Sequence, residues 1–195
     1  LVMLKQNEHL LYISSTDQLS KLKNRRALQD FIILENEKLG RYRTRRKFTL
    51  QETIAFIDLD NFKYYNDTYG HETGDLLITC FSQLLKQIFR KVDFIARFGG
   101  DEFVCVLSDT SCTEGKRVAQ RLYQGLEERN YFINDIEAFL HRKLEIPKAK
   151  RLGFSMGLCS NYDVEDNANL DIVLANADKA LYYSKQHGKG CVSSW

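Results

Sequence analysis

The chain has 195 residues, enough for one domain with a sizeable core, and its composition of 44% hydrophobic and 28% charged residues is that of a globular protein. A formal net charge of +2 is too small to indicate nucleic acid or an anionic membrane as a partner. The chain has no CxxC pair, and Cys80, Cys105 and Cys159 lie in apolar runs, which favours buried free thiols over disulfides or zinc. No apolar run approaches the roughly 20 residues of a membrane span and no signal peptide is visible, so we expect a cytoplasmic domain.

The first half of the chain alternates between helical and strand patterns. Residues 1–15 are predicted as the end of an N-terminal linker or signalling helix, and residues 16–195 as the domain. A helix is then predicted from the apolar stripe of Ala27, Leu28, Phe31, Ile32, Leu34 and Leu39. "TIAFIDLD" (53–60) is typical of a buried strand, and "NFKYYNDTYG" of a short helix closed by Gly70. The apolar face of "ETGDLLITCFSQLLKQIFRK" predicts a long helix.

The second half begins with a predicted hairpin. "DFIARF" and "EFVCVL" flank two glycines, which tolerate the positive φ of a tight turn. A helix over 114–128 follows, then an irregular or partly helical insertion over 130–150, a strand in "LGFSMGLCS" and a final amphipathic helix. Helices that alternate with strands, including a hairpin, predict an α/β (α+β) fold with a mixed sheet and helices on its faces.

Two sets of acids mark the candidate site. Asp58 and Asp60 end the first strand, and Asp101 and Glu102 stand at the tip of the hairpin in "RFGGDEF". Carboxylates from adjacent sheet elements can hold Mg²⁺ against a nucleotide triphosphate, and glycines let a bulky ligand approach. Asp60 alone is interpreted as the cap of the next helix. The chain contains neither GxxxxGK[ST] nor GxGxxG, so a P-loop or a dinucleotide fold is not supported.

The chain resembles the GGDEF family of diguanylate cyclases over residues 16–191. The resemblance rests on five separated pieces in the right order: "DQLSKLKNRR", "FIDLDNFKYYNDTYGHETGD", "RKVDFIARFGGDEF", "FSMGL" and "ADKALYYSKQHGKG". It implies a palm-like, mainly antiparallel central sheet surrounded by helices, as in nucleotidyl cyclases, with the hairpin carrying the active loop. It also implies that two GTP molecules are joined into cyclic di-GMP with release of two pyrophosphates.

The resemblance assigns roles to the acids and to a lysine. Asp58, the backbone carbonyl of Leu59 and Asp101 would hold Mg²⁺ or Mn²⁺, and Asp101 would also accept the proton of the attacking 3′-hydroxyl. Glu102 would serve a second metal or a loop hydrogen bond. Lys63 would place a charge near the phosphates, and alone it would be interpreted as a solvated helix lysine.

The remaining implied site residues bind the nucleotide. Asn66 and Asp75 would select guanine, whereas a turn and a first-turn helix position are their structural alternatives. Lys185 and Lys189 would bind the β- and γ-phosphates, although "GKG" stands where the family commonly has "GRN", which predicts a weaker grip. The other implied substrate-binding residues are Phe62, His71, Gly99 and Gly100.

Regulation and assembly are also implied. Arg90 and Asp93 match the family's RxxD inhibitory site for cyclic di-GMP, and their structural alternative is a local ion pair at the end of a helix. One domain offers one GTP pocket, so catalysis requires a homodimer, and an upstream sensor domain is expected. Two other functions stay open: a non-catalytic nucleotide-binding module, and a transferase that joins GTP to ATP.

Overall fold

The computed structural model describes residues 15–44, 51–164 and 169–195. Helix α1 (Arg25–Thr44) is followed by strand β1 (Glu52–Asp60), helix α2 (Phe62–Tyr69) and helix α3 (His71–Ile88). Strands β2 (Phe94–Gly99) and β3 (Glu102–Ser108) precede helix α4 (Cys112–Glu128), a 3₁₀ turn (Asn130–Phe132), helix α5 (Ile133–Leu140) and a second 3₁₀ turn (Lys148–Lys150). Strand β4 (Gly153–Ser160), helix α6 (Leu170–Gln186) and strand β5 (Val192–Ser194) complete the described chain. Apart from its last residue, the helix predicted over 1–15 lies outside the described ranges.

The strands form one sheet in the order β2-β3-β1-β4-β5. The pairs β2–β3, β3–β1 and β1–β4 are antiparallel, and β4–β5 is parallel. This arrangement confirms the predicted mixed, mainly antiparallel sheet with helices around it. Strand β5 had no counterpart in the sequence pattern, because three residues are too few for a period to show.

The sheet has an apolar core on each face. Every residue of β1 is buried, because helices cover both sides of this central strand. Side chains alternate across it: Ala55, Ile57 and Leu59 pack with α3 and α4, whereas Ile54 and Phe56 pack with α1 and α6. The continuous apolar run in "TIAFIDLD" is thus explained by burial on two faces, and it brings Asp58 and Asp60 to one end of the sheet.

Helix α1 corrects one detail of the predicted apolar stripe. Leu28, Ile32 and Leu39 are buried as expected, but Leu34 is 57% exposed. Leu34 follows Ile32 by two residues and therefore lies about 200° further round the helix. The strict helical period places it in solvent despite its apolar side chain.

The insertion over 130–150 is partly helical, as predicted. It enters through three consecutive residues with positive φ (Asn130, Tyr131 and Phe132) and leaves α5 through His141 in the same conformation. Ile133 and Ile136 of α5 are buried against the core.

Two further expectations concern the cysteines and the membrane. Cys80, Cys105 and Cys159 are buried free thiols, as predicted. In the described ranges, none of the helices has the length and hydropathy required to cross a bilayer.

Candidate active site

The two predicted acid sets meet at one end of the sheet. Antiparallel pairing of β1 with β3 places Asp58 directly opposite Glu102, and the backbone N–H of Leu59 donates to the carbonyl of Asp101 at 3.2 Å. The structure therefore brings Asp58, Leu59, Asp101 and Glu102 together, although 43 positions separate Asp58 from Asp101.

The hairpin turn consists of Gly100 and Asp101 between the paired residues Gly99 and Glu102. Gly100 has φ +38°, and a Cβ added there would meet nothing within 4 Å. Backbone conformation therefore favours glycine at this position, and the open space above the turn leaves room for a ligand. Gly99 and Gly100 are both exposed.

Arg97 stabilises this turn through hydrogen bonds to its backbone, a role that the sequence pattern did not indicate. Its guanidinium donates to the carbonyl of Gly100 through Nε at 2.9 Å and Nη2 at 2.7 Å. Its third nitrogen, Nη1, lies 3.1 Å from Oδ1 of Asp17. The arginine is the first residue of "RFGGDEF", but its partner lies 80 residues earlier, where no local pattern could identify it.

Asp58 is buried beside a cation. Nζ of Lys185, from α6, lies 2.6 Å from Oδ2 of Asp58. Burial raises the pKa of the Asp58 carboxyl to about 6, against the lowering effect of the hydrogen bond from Lys185. Burial also raises the pKa of Glu102, which Lys185 lowers and Asp101 raises further. The end of the sheet is thus an acidic cluster whose charge is partly balanced by one lysine.

These residues fit a divalent cation that shares its coordination with phosphates. A positive charge already lies against Asp58, so the carboxylate is placed to bind one. In the part of the chain that the structure describes, no three His, Cys, Asp or Glu side chains form a metal cage by themselves. Mg²⁺ usually takes one or two carboxylates and completes its shell with water and substrate phosphates, so this donor set suits it.

The junction of α2 and α3 holds the residues predicted to bind guanine. Oδ1 of Asn66 is buried and has no hydrogen-bond partner among the described residues. A Cβ on Gly74 would lie 2.0 Å from that oxygen, so Asn66 keeps its place because residue 74 has no side chain. The same Cβ would lie 3.1 Å from Cζ of Phe62, and Asp75 is exposed beside this contact. Phe62, Asn66 and Asp75 are therefore brought to one junction.

Two further predicted residues of this region, Lys63 and His71, are exposed like Asp75. Lys63 lies on α2, and His71 begins α3 directly after Gly70. Asp75 is the fifth residue of α3, and the acid of the first turn is Glu72. The alternative interpretation of Asp75 as a first-turn acid is therefore wrong, because α3 begins one residue earlier than the pattern suggested.

Asp60 has a different role from the predicted helix cap. The cap position of α2 is Asn61, with φ +64° and no side-chain cap bond. Asp60 instead accepts hydrogen bonds from Oγ of Ser155 at 3.0 and 2.9 Å and from the backbone N–H of Gly190 at 2.8 Å. This buried carboxylate thus ties the glycine loop after α6 to the end of β1.

The glycine loop after α6 (188–190) carries Lys189, the second lysine predicted to bind phosphate. Lys189 is exposed and has φ +60°, between Gly188 and Gly190, which also have positive φ. Its backbone N–H donates to the carbonyl of Ser184 at 3.2 Å. Lys185 and Lys189 both belong to the end of α6 and its loop, but only Lys185 contacts an acid of the cluster.

Arg90 and Asp93 form the local ion pair that the spacing allowed. Nη2 of Arg90 lies 3.2 Å from Oδ1 of Asp93, and the backbone N–H of Arg90 donates to Oδ2 at 2.8 Å. Nη2 also donates to the carbonyl of Ser108 at 2.7 Å and to Oγ1 of Thr110 at 2.8 Å. The arginine side chain is 55% exposed and the aspartate side chain 2%, so the pair presents mainly its cation to solvent.

Comparison with known proteins identifies the family. The profile described as "Diguanylate cyclase, GGDEF domain" matches residues 14–191. "Diguanylate cyclase A" of Treponema denticola is 33% identical over 190 residues, which cover 96% of this chain and 46% of that protein. "Diguanylate cyclase DosC" of Escherichia coli is 31% identical over 179 residues, 92% of this chain and 35% of that protein. The chain therefore spans less than half the length of these two relatives.

Solved structures share the fold. The coiled coil and GGDEF domain of DgcB from Caulobacter crescentus, in complex with c-di-GMP, has a TM-score of 0.75 at 24% identity and covers 99% of this chain and 92% of its own. Diguanylate cyclase SiaD from Pseudomonas aeruginosa, in complex with its activator SiaC, has a TM-score of 0.73 at 24% identity, over 100% of this chain and 66% of its own. Together with the profile match and the curated relatives, this likeness shows that the chain belongs to the GGDEF family of diguanylate cyclase domains.

Proposed function

We propose that this domain is a diguanylate cyclase, which condenses two GTP molecules into cyclic di-GMP and releases two pyrophosphates. The observation that carries the proposal is the register of β1 and β3, which sets Asp58 opposite Glu102 and beside the Gly100–Asp101 turn. Two carboxylates at the open end of a sheet, with a glycine turn above them, form a place for a metal-bound triphosphate.

The acids would hold Mg²⁺, or Mn²⁺, through Asp58, the carbonyl of Leu59 and Asp101. When bound, the ion neutralises phosphate charge and makes the 3′-hydroxyl more acidic. The Asp101 carboxylate then accepts the proton of that hydroxyl as its oxygen attacks the α-phosphate of the facing GTP. Glu102, across from Asp58, supports the same cluster.

Three lysines would balance the charge of the triphosphate. Lys63 supplies a point charge from α2, and Lys185 and Lys189 supply two more from the end of α6. Lys189 offers a single ammonium rather than a bidentate guanidinium, so we expect a moderate grip on the terminal phosphates.

Guanine would be read at the α2–α3 junction. Its Watson–Crick edge presents two adjacent donors, which the exposed carboxylate of Asp75 can accept together. Oδ1 of Asn66 is buried without a hydrogen-bond partner among the described residues, so this side chain would turn outward to accept a hydrogen bond from the base. Adenine has an acceptor in the corresponding place and would leave Asp75 unpaired, at a cost of roughly 1–3 kcal/mol. Phe62, His71, Gly99 and Gly100 would complete the surroundings of the nucleotide.

The single GTP site proposed for each domain and the exposed Arg90 support a proposal about assembly and regulation. Two domains must meet with their GTP molecules face to face, so we propose a catalytic homodimer. Cyclic di-GMP would bind at Arg90, whose exposed guanidinium can stack on guanine and pair with phosphate, and would hold the domains apart. We also propose that the domain works in the cytoplasm, where GTP is available, under an upstream sensor domain.

The test is product identification. Purified protein is incubated with Mg²⁺ and GTP, or with GTP plus ATP, over a range of protein concentrations, and the products are identified by mass spectrometry. The proposal predicts cyclic di-GMP in both mixtures and an initial rate per chain that rises until dimers saturate. A mixed GTP–ATP product would instead support the alternative transferase. GTP binding without any product would support the non-catalytic binding module.

A further inference from the structure

One face of α2 is held by the chain that enters β4. We call residues 141–152 the brace segment. The side-chain amide of Asn61 donates to the carbonyl of Ala149 at 3.2 Å and to that of Arg151 at 2.8 Å. Asn61 makes no side-chain cap bond to α2, so its amide serves the brace segment and not its own helix.

The middle of α2 is attached through a buried tyrosine. Tyr65 is 0% exposed, and its hydroxyl accepts a hydrogen bond from the backbone N–H of Leu152 at 2.9 Å. Leu152 is itself 1% exposed, so this N–H has no access to water as a substitute. This hydrogen bond therefore fixes the position of α2 relative to the start of β4.

Two cations of the brace segment cover aromatic rings of α2. Nζ of Lys150 lies 5.7 Å from the ring centre of Tyr64, and Cζ of Arg142 lies 6.0 Å from that of Tyr69. The rings of Tyr64, Tyr65 and Tyr69 also contact one another, with centres 5.5 to 6.1 Å apart. The segment thus contacts α2 at its beginning, middle and end.

The geometry of a helix separates this face from Lys63 and Asn66. Tyr65 and Tyr69 are spaced by four and therefore share one face of α2. Lys63 lies about 200° round the helix from Tyr65, and Asn66 is turned toward Gly74 of α3. The brace segment therefore contacts α2 on the face opposite Lys63, which stays exposed.

The brace segment has its own anchors. Nζ of Lys143 lies 2.6 Å from Oε2 of Glu137, and the backbone N–H of Leu144 donates to Oε1 of the same acid at 2.9 Å. Cζ of Arg151 lies 5.2 Å from the ring centre of Tyr131. The segment is thus fixed to α5 and the preceding turn and can resist movement of α2.

We propose that the brace segment is a specificity-determining element, and that Tyr65 is a positioning residue that keeps Asn66 aligned with guanine. The inference rests on the proposed GTP site. A displacement of α2 by a fraction of an ångström would misalign Asn66 without removing any group that contacts the nucleotide. It should therefore weaken selection of guanine more than binding of the triphosphate.

Tyr65→Phe tests the proposal against Tyr123→Phe. Tyr123→Phe also removes a single hydrogen bond to the backbone, which the Tyr123 hydroxyl donates to the carbonyl of Phe154 at 2.9 Å. Tyr123 lies on α4, which carries no proposed site residue. Affinities of non-reacting GTP and ATP analogues are measured with Mg²⁺ by calorimetry, together with thermal stability. We expect Tyr65→Phe to weaken the GTP analogue about three- to tenfold and to leave the ATP analogue unchanged. Tyr123→Phe should keep the wild-type ratio at a similar loss of melting temperature.

A second pair of variants changes only exposed side chains and should leave the stability of the fold unchanged. Lys150→Ala removes the exposed cation over Tyr64, and Lys148→Ala removes an exposed cation two residues earlier in the same 3₁₀ turn. Lys150→Ala should lower the GTP-to-ATP ratio about twofold, and Lys148→Ala should not. An unchanged ratio in Tyr65→Phe and Lys150→Ala, in a wild type that makes cyclic di-GMP, overturns this inference alone. A wild type that binds the GTP analogue selectively but forms no product overturns the proposed function and leaves the inference standing if Tyr65→Phe lowers the ratio.

Discussion

Lys185 and Asp58 form an ion pair in which the ammonium nitrogen lies 2.6 Å from the carboxylate oxygen Oδ2. The lysine comes from the last turn of α6 and the acid from the end of β1, and sequence analysis assigned them to different tasks, phosphate binding and metal binding. The contact shows that one cation lies against a buried acid of the proposed metal site.

Lys185→Met should therefore have two effects, on nucleotide binding and on stability. It removes a proposed phosphate contact and should raise KM for GTP about tenfold. It also leaves Asp58 buried without its counter-charge, so the free energy of unfolding at pH 8 should fall by about 1 kcal/mol, a modest value because the lysine is 34% exposed.

Lys189→Met is the matched control for this pair. Lys189 is exposed and belongs to the same phosphate-binding proposal. Its removal should raise KM without changing stability at pH 8, as measured by urea unfolding. Equal stability of the two variants would show that Lys185 does not stabilise the charge of Asp58.

Glu52 should make stability depend on pH. Burial, followed by the nearby charge of Glu35, raises the pKa of the Glu52 carboxyl to about 7. Between pH 4.5 and about 7 the folded state then binds more protons than the unfolded state, so this group's contribution to stability falls as pH rises. Glu52 is 5% exposed, and its Oε2 has no hydrogen-bond partner among the described residues.

Glu52→Gln should accordingly stabilise the protein at pH 8 by about 1–3 kcal/mol and make little difference at pH 4. Urea unfolding at both pH values measures this change, and Glu127→Gln, at an exposed position of α4, is the control. Asp58 has a raised pKa for the same reason, so part of the pH dependence should persist in the variant. A variant with the full wild-type pH dependence would contradict the assignment.

Gly74→Ala should disturb the guanine site through Asn66. The added Cβ would lie 2.0 Å from Oδ1 and 3.0 Å from Cγ of Asn66, so the amide must leave its position. We expect KM for GTP to rise about tenfold with little change in kcat, since the acids lie elsewhere. Steady-state kinetics in a double-mutant cycle with Asn66→Ala measures the coupling. If Gly74→Ala costs as much in the Asn66→Ala background, it acts by another route.

Local sequence patterns predicted most of the fold and identified most residues of the candidate site. The apolar run of β1, the glycine turn and the 3.6-residue period of α3 each follow from local rules, and together they bring Asp58 to Asp101. Contacts between distant segments could not be predicted in this way. The hydrogen bond from Gly190 to Asp60 spans 130 positions, and that from Leu152 to Tyr65 spans 87.

A difference of one residue between a predicted and an observed helix boundary can change the role assigned to a side chain. An acid directly before a helix usually caps it, which predicts that role for Asp60, yet Asn61 takes the cap position with positive φ. The displaced boundary frees Asp60 to bind the loop after α6. The role of Gly74 could not be predicted from the sequence either, because only the folded structure shows that a Cβ at this position would contact Asn66.

Arg90→Ala should remove feedback by the product. The initial rate should stay within about twofold of wild type, and the reaction should continue as cyclic di-GMP accumulates to micromolar levels. Arg90 also donates to Oγ1 of Thr110, so Thr110→Val controls for the structural part of the network. Progress curves measure the effect. If wild type does not slow, or if Arg90→Ala slows equally, the pair is only structural.

The amount of cyclic di-GMP that Asp101→Asn forms from GTP and Mg²⁺ tests the central claim most directly. The substitution removes one negative charge at a half-buried turn residue and takes away no core packing. Asp109→Asn, at an exposed position with φ +48° that asparagine adopts easily, is the matched control just beyond the other end of β3. If Asp101 binds the metal and accepts the proton, mass spectrometry should show product formation reduced at least about 100-fold in Asp101→Asn and unchanged in Asp109→Asn. Cyclic di-GMP formation by a folded Asp101→Asn variant at a rate near that of wild type would contradict the account.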